Sequence, residues 1–210
     1  MATRKIFNVK TIKDKNYKTL NIGSYNELFG RPESKFIAMN YGESGGGKSV
    51  FTLQFAEFFA NNFGKVLYNS HEEGVNQTLR DRIVEFNIDA PKLYFGNKLS
   101  FDEMVDKIQR NYYRLVIIDS VQYMNFTYAQ LKELTAKFSR RQLSIILVSF
   151  GTAKGSPTKA TDLLHACDIK AYFKNGRVNI TSRYLSKPVN KVLFNEQNSG
   201  QQLSLFGNEK

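Results

Sequence analysis

Apolar residues in the central part of the chain follow two alternating patterns. Short unbroken apolar runs, such as Leu115–Ile118 and Ile145–Val148, are typical of buried strands, and apolar residues at helical spacing indicate amphipathic helices. The runs predict strands at 35–41, 65–69, 93–95, 115–119 and 144–149. The helical spacing predicts helices at 48–62, 75–86, 100–110, 127–141 and 160–165. This alternation predicts an α/β fold with a mostly parallel central sheet that is flanked by helices.

The pattern weakens after Gly151. Less regular apolar alternation there predicts strands at 169–173, 177–182 and 191–194, which would form an antiparallel C-terminal edge of the sheet. Residues 195–210 are polar and rich in Gln, Asn and Gly, a composition that predicts a flexible tail. We therefore expect a single domain at 1–194, which begins with a basic segment at 1–35, and a tail at 195–210.

The composition is that of a folded domain, with 41% hydrophobic residues in a chain of 210. A lone cysteine, Cys167, excludes an internal disulfide framework and a multi-cysteine zinc site. The apolar runs are too short to span a membrane, and no apolar stretch follows the basic N-terminal residues as it would in a secretory signal. We therefore expect a soluble cytoplasmic protein without a membrane partner.

Positive charge is concentrated at the two ends of the chain. The whole sequence has 30 Lys and Arg against 19 Asp and Glu, a net charge of +11. Residues 1–35 hold eight basic and three acidic residues (+5), residues 151–210 hold nine and four (+5), and residues 36–150 hold thirteen and twelve (+1). This distribution favours a polyanionic partner, most often nucleic acid, over the alternative that the charge serves solubility alone.

A glycine-rich motif follows the first predicted strand. Residues 42–49 read Gly-Glu-Ser-Gly-Gly-Gly-Lys-Ser and fit the pattern G-x-x-x-x-G-K-[ST], with a strand before it and a helix after it. Glycines let backbone N–H groups approach phosphate oxygens, and the helix N-terminus adds its positive dipole end. We expect Lys48 to reach the β- and γ-phosphates of ATP and the Ser49 hydroxyl to bind Mg²⁺. The predicted nucleotide-binding residues in this segment are Gly42, Glu43, Ser44, Gly45, Gly46, Gly47, Lys48, Ser49 and Val50.

Two acidic segments complete the candidate site. Asp119 ends an apolar strand, at the edge where ligands bind in open α/β sheets, and we expect it to hold Mg²⁺ through water rather than only cap the strand. Glu72 and Glu73 follow the strand at 65–69, where a carboxylate can orient the water that attacks ATP. The alternative for this pair is a solvated acidic turn. The predicted catalytic residues are therefore Lys48, Glu72 and Glu73.

In this order and spacing, the three segments resemble the RecA/RadA/DnaB branch of P-loop ATPases. The resemblance extends over residues 22–194 and is densest at 36–155. It implies a RecA-like fold, ATP hydrolysis and Glu72 as the catalytic carboxylate in preference to Glu73. The chain is also similar to the short phage-encoded RecA-core recombinases, which implies DNA recombination or single-strand annealing by a homo-oligomer.

The same resemblance assigns further roles and exposes two departures. It implies that Arg183 reaches the nucleotide of a neighbouring subunit. Phe150 stands where the family usually carries a Gln or His that senses the γ-phosphate and couples it to DNA. Thr181 stands where the family carries a Lys, so Arg183 and Lys187 alone would make the contact between subunits. We therefore expect the coupling between ATP and DNA to differ from the family pattern.

Two loops are candidates for contact with single-stranded DNA. They follow the strands at 115–119 and 144–149, and the resemblance implies that both face the axis of a ring or filament. The predicted DNA-binding residues are Gln122, Tyr123, Lys154 and Lys159. Aromatic rings and lysines suit single strands, whose bases stack and whose phosphates need neutralising. The alternative for Tyr123 is packing at the start of the next helix.

The tail contains a short motif, Gln202-Leu203-Ser204-Leu205-Phe206. It is similar to the peptide by which bacterial replication and repair proteins bind the sliding clamp, which implies clamp contacts by Gln202, Leu203, Leu205 and Phe206. The alternative is that this segment packs on the protein's own core. Two other functions therefore stay open beside recombination: an ATP-binding adaptor and a DnaB-like helicase relative, each recruited to the clamp.

Overall fold

The computed structural model describes residues 6–152 and 155–193. The described helices are α1 (Val9–Lys13), α2 (Asn26–Phe29), α3 (Lys48–Asn62), α4 (Gln77–Glu85), α5 (Phe101–Arg110), α6 (Tyr128–Lys137) and α7 (Thr161–Ala166). The described strands are β1 (Ile37–Gly42), β2 (Val66–Ser70), β3 (Leu93–Asn97), β4 (Leu115–Asp119), β5 (Ser144–Phe150), β6 (Ile169–Lys174), β7 (Arg177–Ser182) and β8 (Val189–Val192). Lys154 and the predicted tail at 195–210, with its clamp-like motif, lie outside the described residues.

The eight strands of the described part form one sheet in the order β3-β2-β4-β5-β1-β6-β7-β8. Strands β1 to β6 run parallel, whereas β7 and β8 pair antiparallel at the C-terminal edge. All residues of β2 and β4 are buried, which explains why their sequences are continuous apolar runs. The predicted α/β class, with its mostly parallel sheet and antiparallel C-terminal edge, is confirmed.

Several helix ends differ from the prediction because side chains cap or interrupt the helix. Helix α4 begins at Gln77 rather than at residue 75, since the side chain of Asn76 accepts a hydrogen bond from the backbone of Leu79 and caps the helix there. Helix α6 ends at Lys137 rather than at residue 141. The side chain of Arg141 instead turns back to the carbonyl groups at the end of α5. Strand β8 begins and ends two residues before the predicted 191–194.

One face of the sheet is covered by α3 and by part of the segment predicted only as basic. Tyr25 lies in a short helical turn before α2, and its ring packs edge-on against Phe55 with the ring centroids 4.9 Å apart. Leu28 and Phe29 of α2 are buried in the same core. The N-terminal region therefore contributes to the fold, and short helical pieces without a repeated apolar pattern gave no sequence signal for it.

The other face is covered by α5, α6 and α7. Helix α5 begins with a capping box formed by Ser100 and Glu103, and Thr127 and Gln130 form the same arrangement at the start of α6. No helix of the described segments combines the length and the hydrophobicity needed to cross a bilayer. With both faces covered, the carboxyl ends of β1, β2, β4 and β5 meet at one accessible edge of the sheet.

Candidate nucleotide-binding site

A cleft of about 350 Å³ lies at that carboxyl edge. It is lined by the glycine-rich loop, by the start of α3, by residues that follow β2 and β4, by the end of β5 and by one residue of α4. The lining residues are Ser44, Gly45, Gly47, Lys48, Ser49, Val50, Glu72, Glu73, Arg82, Ser120, Val148, Ser149 and Phe150. Most predicted phosphate-binding residues therefore lie in one concave site, together with four residues that the sequence did not point to: Arg82, Ser120, Val148 and Ser149.

The loop has a backbone shape that requires its glycines. Gly42, Gly45 and Gly47 have φ values of 144°, 74° and 94°, a region that side-chain-bearing residues rarely adopt. A Cβ atom at Gly42 would lie 2.0 Å from the carbonyl oxygen of Phe173. Gly47 precedes α3, so the first N–H groups of that helix face the cleft without a capping side chain in front of them. This arrangement suits the binding of phosphate groups.

The ammonium group of Lys48 lies at the floor of the loop. Its Nζ donates hydrogen bonds to the carbonyl oxygens of Gly42 at 2.9 Å and Glu43 at 2.6 Å. Burial lowers the pKa of Lys48, and the carboxylates of Glu72, Asp119 and Glu43 act in the opposite direction. The cation is therefore held by weak carbonyl partners that phosphate oxygens can replace with stronger, charge-assisted hydrogen bonds.

Asp119 is buried, and its two carboxylate oxygens have different surroundings. Oδ2 accepts a hydrogen bond of 2.5 Å from the hydroxyl of Tyr68, while Oδ1 is buried and has no hydrogen-bond partner within the described structure. The Oγ atom of Ser120 is likewise buried and has no hydrogen-bond partner among the described residues. Burial raises the pKa of Asp119, and the hydrogen bond from Tyr68 opposes that rise. A buried, unpaired carboxylate oxygen is costly unless a cation or donor reaches it.

The carboxylate of Asp119 and the hydroxyl of Ser49 are oxygen donors of the kind that bind Mg²⁺. Magnesium takes oxygen ligands and is commonly held by one or two carboxylates together with phosphates and water. Asp119 Oδ1 and the hydroxyl of Ser49 are the predicted protein ligands, and Ser49 lines the cleft. The described residues contain no group of three or more His, Cys, Asp or Glu side chains arranged for a metal. The donor set therefore suits a metal that arrives with a nucleotide better than a resident zinc ion.

The two adjacent glutamates have separate partners. Glu73 forms an ion pair with Arg82 of α4, with 2.5 Å between Oε1 and Nη1, and both side chains are mostly buried. The backbone N–H of Glu72 donates to the carbonyl oxygen of Asp119 at 3.0 Å, which fixes Glu72 beside the carboxyl end of β4. Burial and then the nearby Asp119 raise the pKa of Glu72, and Lys48 lowers it. Because Glu73 is occupied by Arg82, the geometry favours Glu72 as the carboxylate that acts on water.

Solved structures share this fold. A KaiC-like protein from Pyrococcus horikoshii OT3 gives a TM-score of 0.61 at 17% identity, with 84% of this chain and 93% of that chain covered. A second solved structure, which is an ATPase domain, gives a TM-score of 0.57 at 13% identity, with 86% and 90% covered. This chain has a RecA-like P-loop fold. The predicted fold and likeness are confirmed.

Curated proteins resemble the RecA-like core in sequence as well. DNA repair protein RadA of Bacillus subtilis is 28% identical over 185 residues, which is 82% of this chain and 40% of that protein. RadA of Helicobacter pylori is 28% identical and RadA of Chlamydia pneumoniae 31% identical, each over 145 residues, 63% of this chain and 32% of theirs. The chain thus spans two fifths or less of the length of these relatives. No protein-family model matches it.

The loops predicted to bind DNA are joined to the cleft of this RecA-like core. Gln122 is half-buried, and its amide Nε2 donates to the Ser149 hydroxyl at 2.8 Å and to the Thr158 carbonyl at 2.6 Å. The ring of Tyr123 packs edge-on against Phe150, with centroids 5.6 Å apart, yet the residue stays 56% exposed. Lys159 is exposed. The structure therefore leaves Tyr123 and Lys159 accessible, while the amide of Gln122 is taken by the protein itself.

Arg183 lies away from the cleft of its own chain. Its Nη1 pairs with Asp168 Oδ1 at 2.9 Å, and the backbone of Asp168 donates to the carbonyl oxygen of Ile37 at the start of β1. The phosphate loop leaves the other end of β1. A different cation, Lys174 at the end of β6, lies near the loop and pairs with Glu43 at 3.2 Å. Sequence reasoning missed Lys174 and Arg82 because only the folded sheet brings their elements to the loop.

Proposed function

We propose that the protein is an ATPase that acts in DNA recombination or single-strand annealing and binds both ATP·Mg²⁺ and single-stranded DNA. One observation carries the ATPase part: Lys48 and Glu72 line one cleft beside a glycine loop, and the carboxylates of Glu72 and Asp119 both raise the pKa of Lys48 against the effect of burial. Support for the DNA part comes from the name of the relatives, DNA repair protein RadA, and from the net charge of +11.

In the proposed reaction the loop N–H groups and Lys48 bind the β- and γ-phosphates of ATP. Ser49 and Asp119 Oδ1 would hold Mg²⁺, which when bound neutralises charge on the phosphate oxygens. When ATP binds, the ammonium group of Lys48 would exchange its hydrogen bonds to the carbonyl oxygens of Gly42 and Glu43 for hydrogen bonds to phosphate oxygens, so that it has acceptors in both states. Tyr68 holds the other oxygen of Asp119 and thereby fixes the direction of the carboxylate.

Glu72 orients the water that attacks the γ-phosphate. Burial and the nearby Asp119 raise its pKa, which makes its carboxylate a better proton acceptor than that of an ordinary glutamate. Arg82 lies in the same cleft, where its guanidinium can stabilise the negative charge that develops on the transferred phosphoryl group. Glu73 keeps Arg82 in place through their ion pair.

The proposed DNA contacts are made by Tyr123, Lys154 and Lys159. We further propose a homo-oligomer, because Arg183 is exposed at the edge of the sheet opposite its own cleft, where a neighbouring copy could place its nucleotide. The division into a domain at 1–194 and a tail at 195–210 stays a prediction. The clamp contacts of Gln202, Leu203, Leu205 and Phe206 lie outside the described residues and stay predictions as well.

The test is ATP turnover at one fixed salt concentration, with and without a single-stranded oligonucleotide. We expect turnover that rises severalfold with DNA and falls to background in Lys48→Ala. Glu72→Gln should still bind ATP·Mg²⁺ but turn it over at least about a hundredfold more slowly. Oligonucleotide binding without any turnover in the wild type would contradict the ATPase part, and turnover that ignores DNA would contradict the DNA part.

A second candidate, an ATP-binding adaptor, is favoured by one observation. Phe150 lines the cleft at the end of β5 and has no polar side-chain atom with which to sense a phosphate. Turnover that is absent or indifferent to DNA, together with sliding-clamp binding that Leu205→Ala and Phe206→Ala abolish, would support the adaptor. Clamp binding that survives both substitutions would remove it.

A further inference from the structure

The side chain of Gln122 makes three hydrogen bonds. Nε2 donates to Ser149 Oγ at 2.8 Å and to the carbonyl oxygen of Thr158 at 2.6 Å, and Oε1 accepts from the backbone N–H of Phe150 at 3.3 Å. Both amide hydrogens are therefore used, which is the full donor capacity of a glutamine. Such a side chain holds its partners in a fixed arrangement.

Its partners belong to two different regions. Ser149 and Phe150 line the nucleotide cleft. Thr158 closes the β5 loop, whose described residues are 151–152 and 155–159, because its backbone N–H donates to the carbonyl oxygen of Phe150 at 2.8 Å. Gly151 and Pro157 form an antiparallel bridge inside the same loop. The amide of Gln122 thus joins the wall of the cleft to the base of a surface loop that carries the exposed Lys159.

The base of the β5 loop also rests on the phosphate loop. The carbonyl oxygen of Gly42 accepts hydrogen bonds from Gly151 N–H at 2.8 Å and from Lys48 Nζ at 2.9 Å. When Lys48 turns to a phosphate, this carbonyl loses one of its two donors. The change falls on the atom that anchors the first residue of the β5 loop. A ligand in the cleft therefore changes the hydrogen bonding of the Gly42 carbonyl oxygen, to which Gly151, the residue after Phe150, is bonded.

We propose that Gln122 is a positioning residue that couples nucleotide in the cleft to the placement of the β5 loop, and so to binding of single-stranded DNA. The inference rests on the proposed function. Phe150 has no polar side-chain atom, and Gln122 is bonded to its backbone as well as to the far end of the loop. Gln122, which the sequence predicts to contact DNA directly, would instead affect DNA binding through the position of the β5 loop.

The experiment measures the affinity for a fluorescent oligo-dT, without nucleotide and with Mg²⁺ and a non-hydrolysable ATP analogue. The ratio of the two affinities is the coupling factor, which in coupled sites is typically about 5- to 150-fold and is the same when measured from the nucleotide side. We expect a wild-type ratio of at least about fivefold. In Gln122→Leu we expect a ratio close to one, although each ligand alone binds within about threefold of wild type.

Two further variants make the result specific. Gln122→Glu keeps the acceptor for the Phe150 N–H but loses both donors, so its ratio should also fall, and it decides the matter if Gln122→Leu does not fold. Gln130→Leu is the matched control, since Gln130 only caps α6 through Thr127 and should keep the wild-type ratio. A wild-type ratio in Gln122→Leu, or an equal loss in Gln130→Leu, overturns the inference.

Failure of the proposed function gives a different result. In that case the wild-type protein itself fails to bind the oligonucleotide, or binds it with a ratio of one, before any variant is compared. The inference then falls with the function on which it rests. If the wild type couples and Gln122→Leu couples equally well, the proposed function stands and only the role of Gln122 is rejected.

Discussion

The hydroxyl of Tyr68 and the carboxylate of Asp119 are joined by a buried hydrogen bond of 2.5 Å between neighbouring strands β2 and β4. The bond occupies Oδ2 and leaves Oδ1 for a ligand. Partners of metal-binding side chains orient the ligand, and their loss typically costs about 10- to 100-fold in metal affinity. Tyr68 is thus as much a part of the proposed magnesium site as Asp119.

Tyr68→Phe should therefore raise the Mg²⁺ concentration needed for half-maximal ATP turnover by about tenfold, because the carboxylate is no longer held in one direction. Turnover at saturating Mg²⁺ should recover most of its wild-type value. A Mg²⁺ titration of ATP turnover measures the effect. Tyr113→Phe, at another buried tyrosine that lies in the opposite core, is the control. An unchanged Mg²⁺ dependence in Tyr68→Phe would show that Tyr68 does not position the carboxylate.

Asp119→Asn should stabilise the nucleotide-free protein while it abolishes turnover. The raised pKa of Asp119 means that its charge opposes folding at neutral pH, so its contribution to stability is present at low pH and is lost as pH rises through the raised pKa. Replacing the charge with a neutral amide should add about 1 kcal/mol at pH 7 and flatten the pH dependence of unfolding. Urea denaturation at pH 5 and pH 7 checks both effects. Destabilisation at pH 7 would contradict the prediction.

Arg82→Ala should lower kcat/KM for ATP by at least about tenfold, because it removes a cation from the cleft and leaves Glu73 unpaired beside the phosphates. Arg80→Ala is the matched control, since Arg80 lies on the same helix with its side chain 77% exposed. Steady-state kinetics of both variants are the measurement. If the two variants behave alike, Arg82 only holds α4 in place.

The thiol of Cys167 should react slowly in the folded protein. Burial raises its pKa to about 12, and Sγ donates to the carbonyl oxygen of Leu163 at 3.2 Å. Thiol reagents attack the thiolate, so at pH 8 we expect labelling at least about a hundredfold slower than in urea-unfolded protein. Lys48→Ala should label at the wild-type rate. Rapid labelling of the native protein would show that this core opens readily.

The sequence predicted the parts of the site that depend on spacing along the chain. Lys48 and Ser49 are set by the glycine motif, and Asp119 by its place after an apolar strand. Arg82 and Lys174 could not be predicted, because they reach the loop only through the packing of α4 and the pairing of β6 with β1. The partners of Gln122 are likewise 27 and 36 residues away, so no local pattern reveals that its amide is occupied.

The larger misses in the fold have the same origin. Tyr25 and Phe29 lie in helical pieces too short to show a period, and they are ordered by the phenylalanines of α3. The early end of α6 follows from Arg141, whose side chain bonds to the last carbonyls of another helix. Strong local periodicity therefore predicted the central strands and helices, and tertiary contacts decided the rest.

Because a hydrogen bond closes the β5 loop at its base, the loop can be replaced by another segment. Because Thr158 N–H donates to the carbonyl oxygen of Phe150, the two ends of this loop lie close together. A segment of another length or composition can therefore be grafted between these residues without moving β5, and insertions at such closed loops cost little conformational entropy. Substitutions that alter the nucleic-acid preference should accordingly be concentrated in this loop, while the residues of the nucleotide cleft stay unchanged.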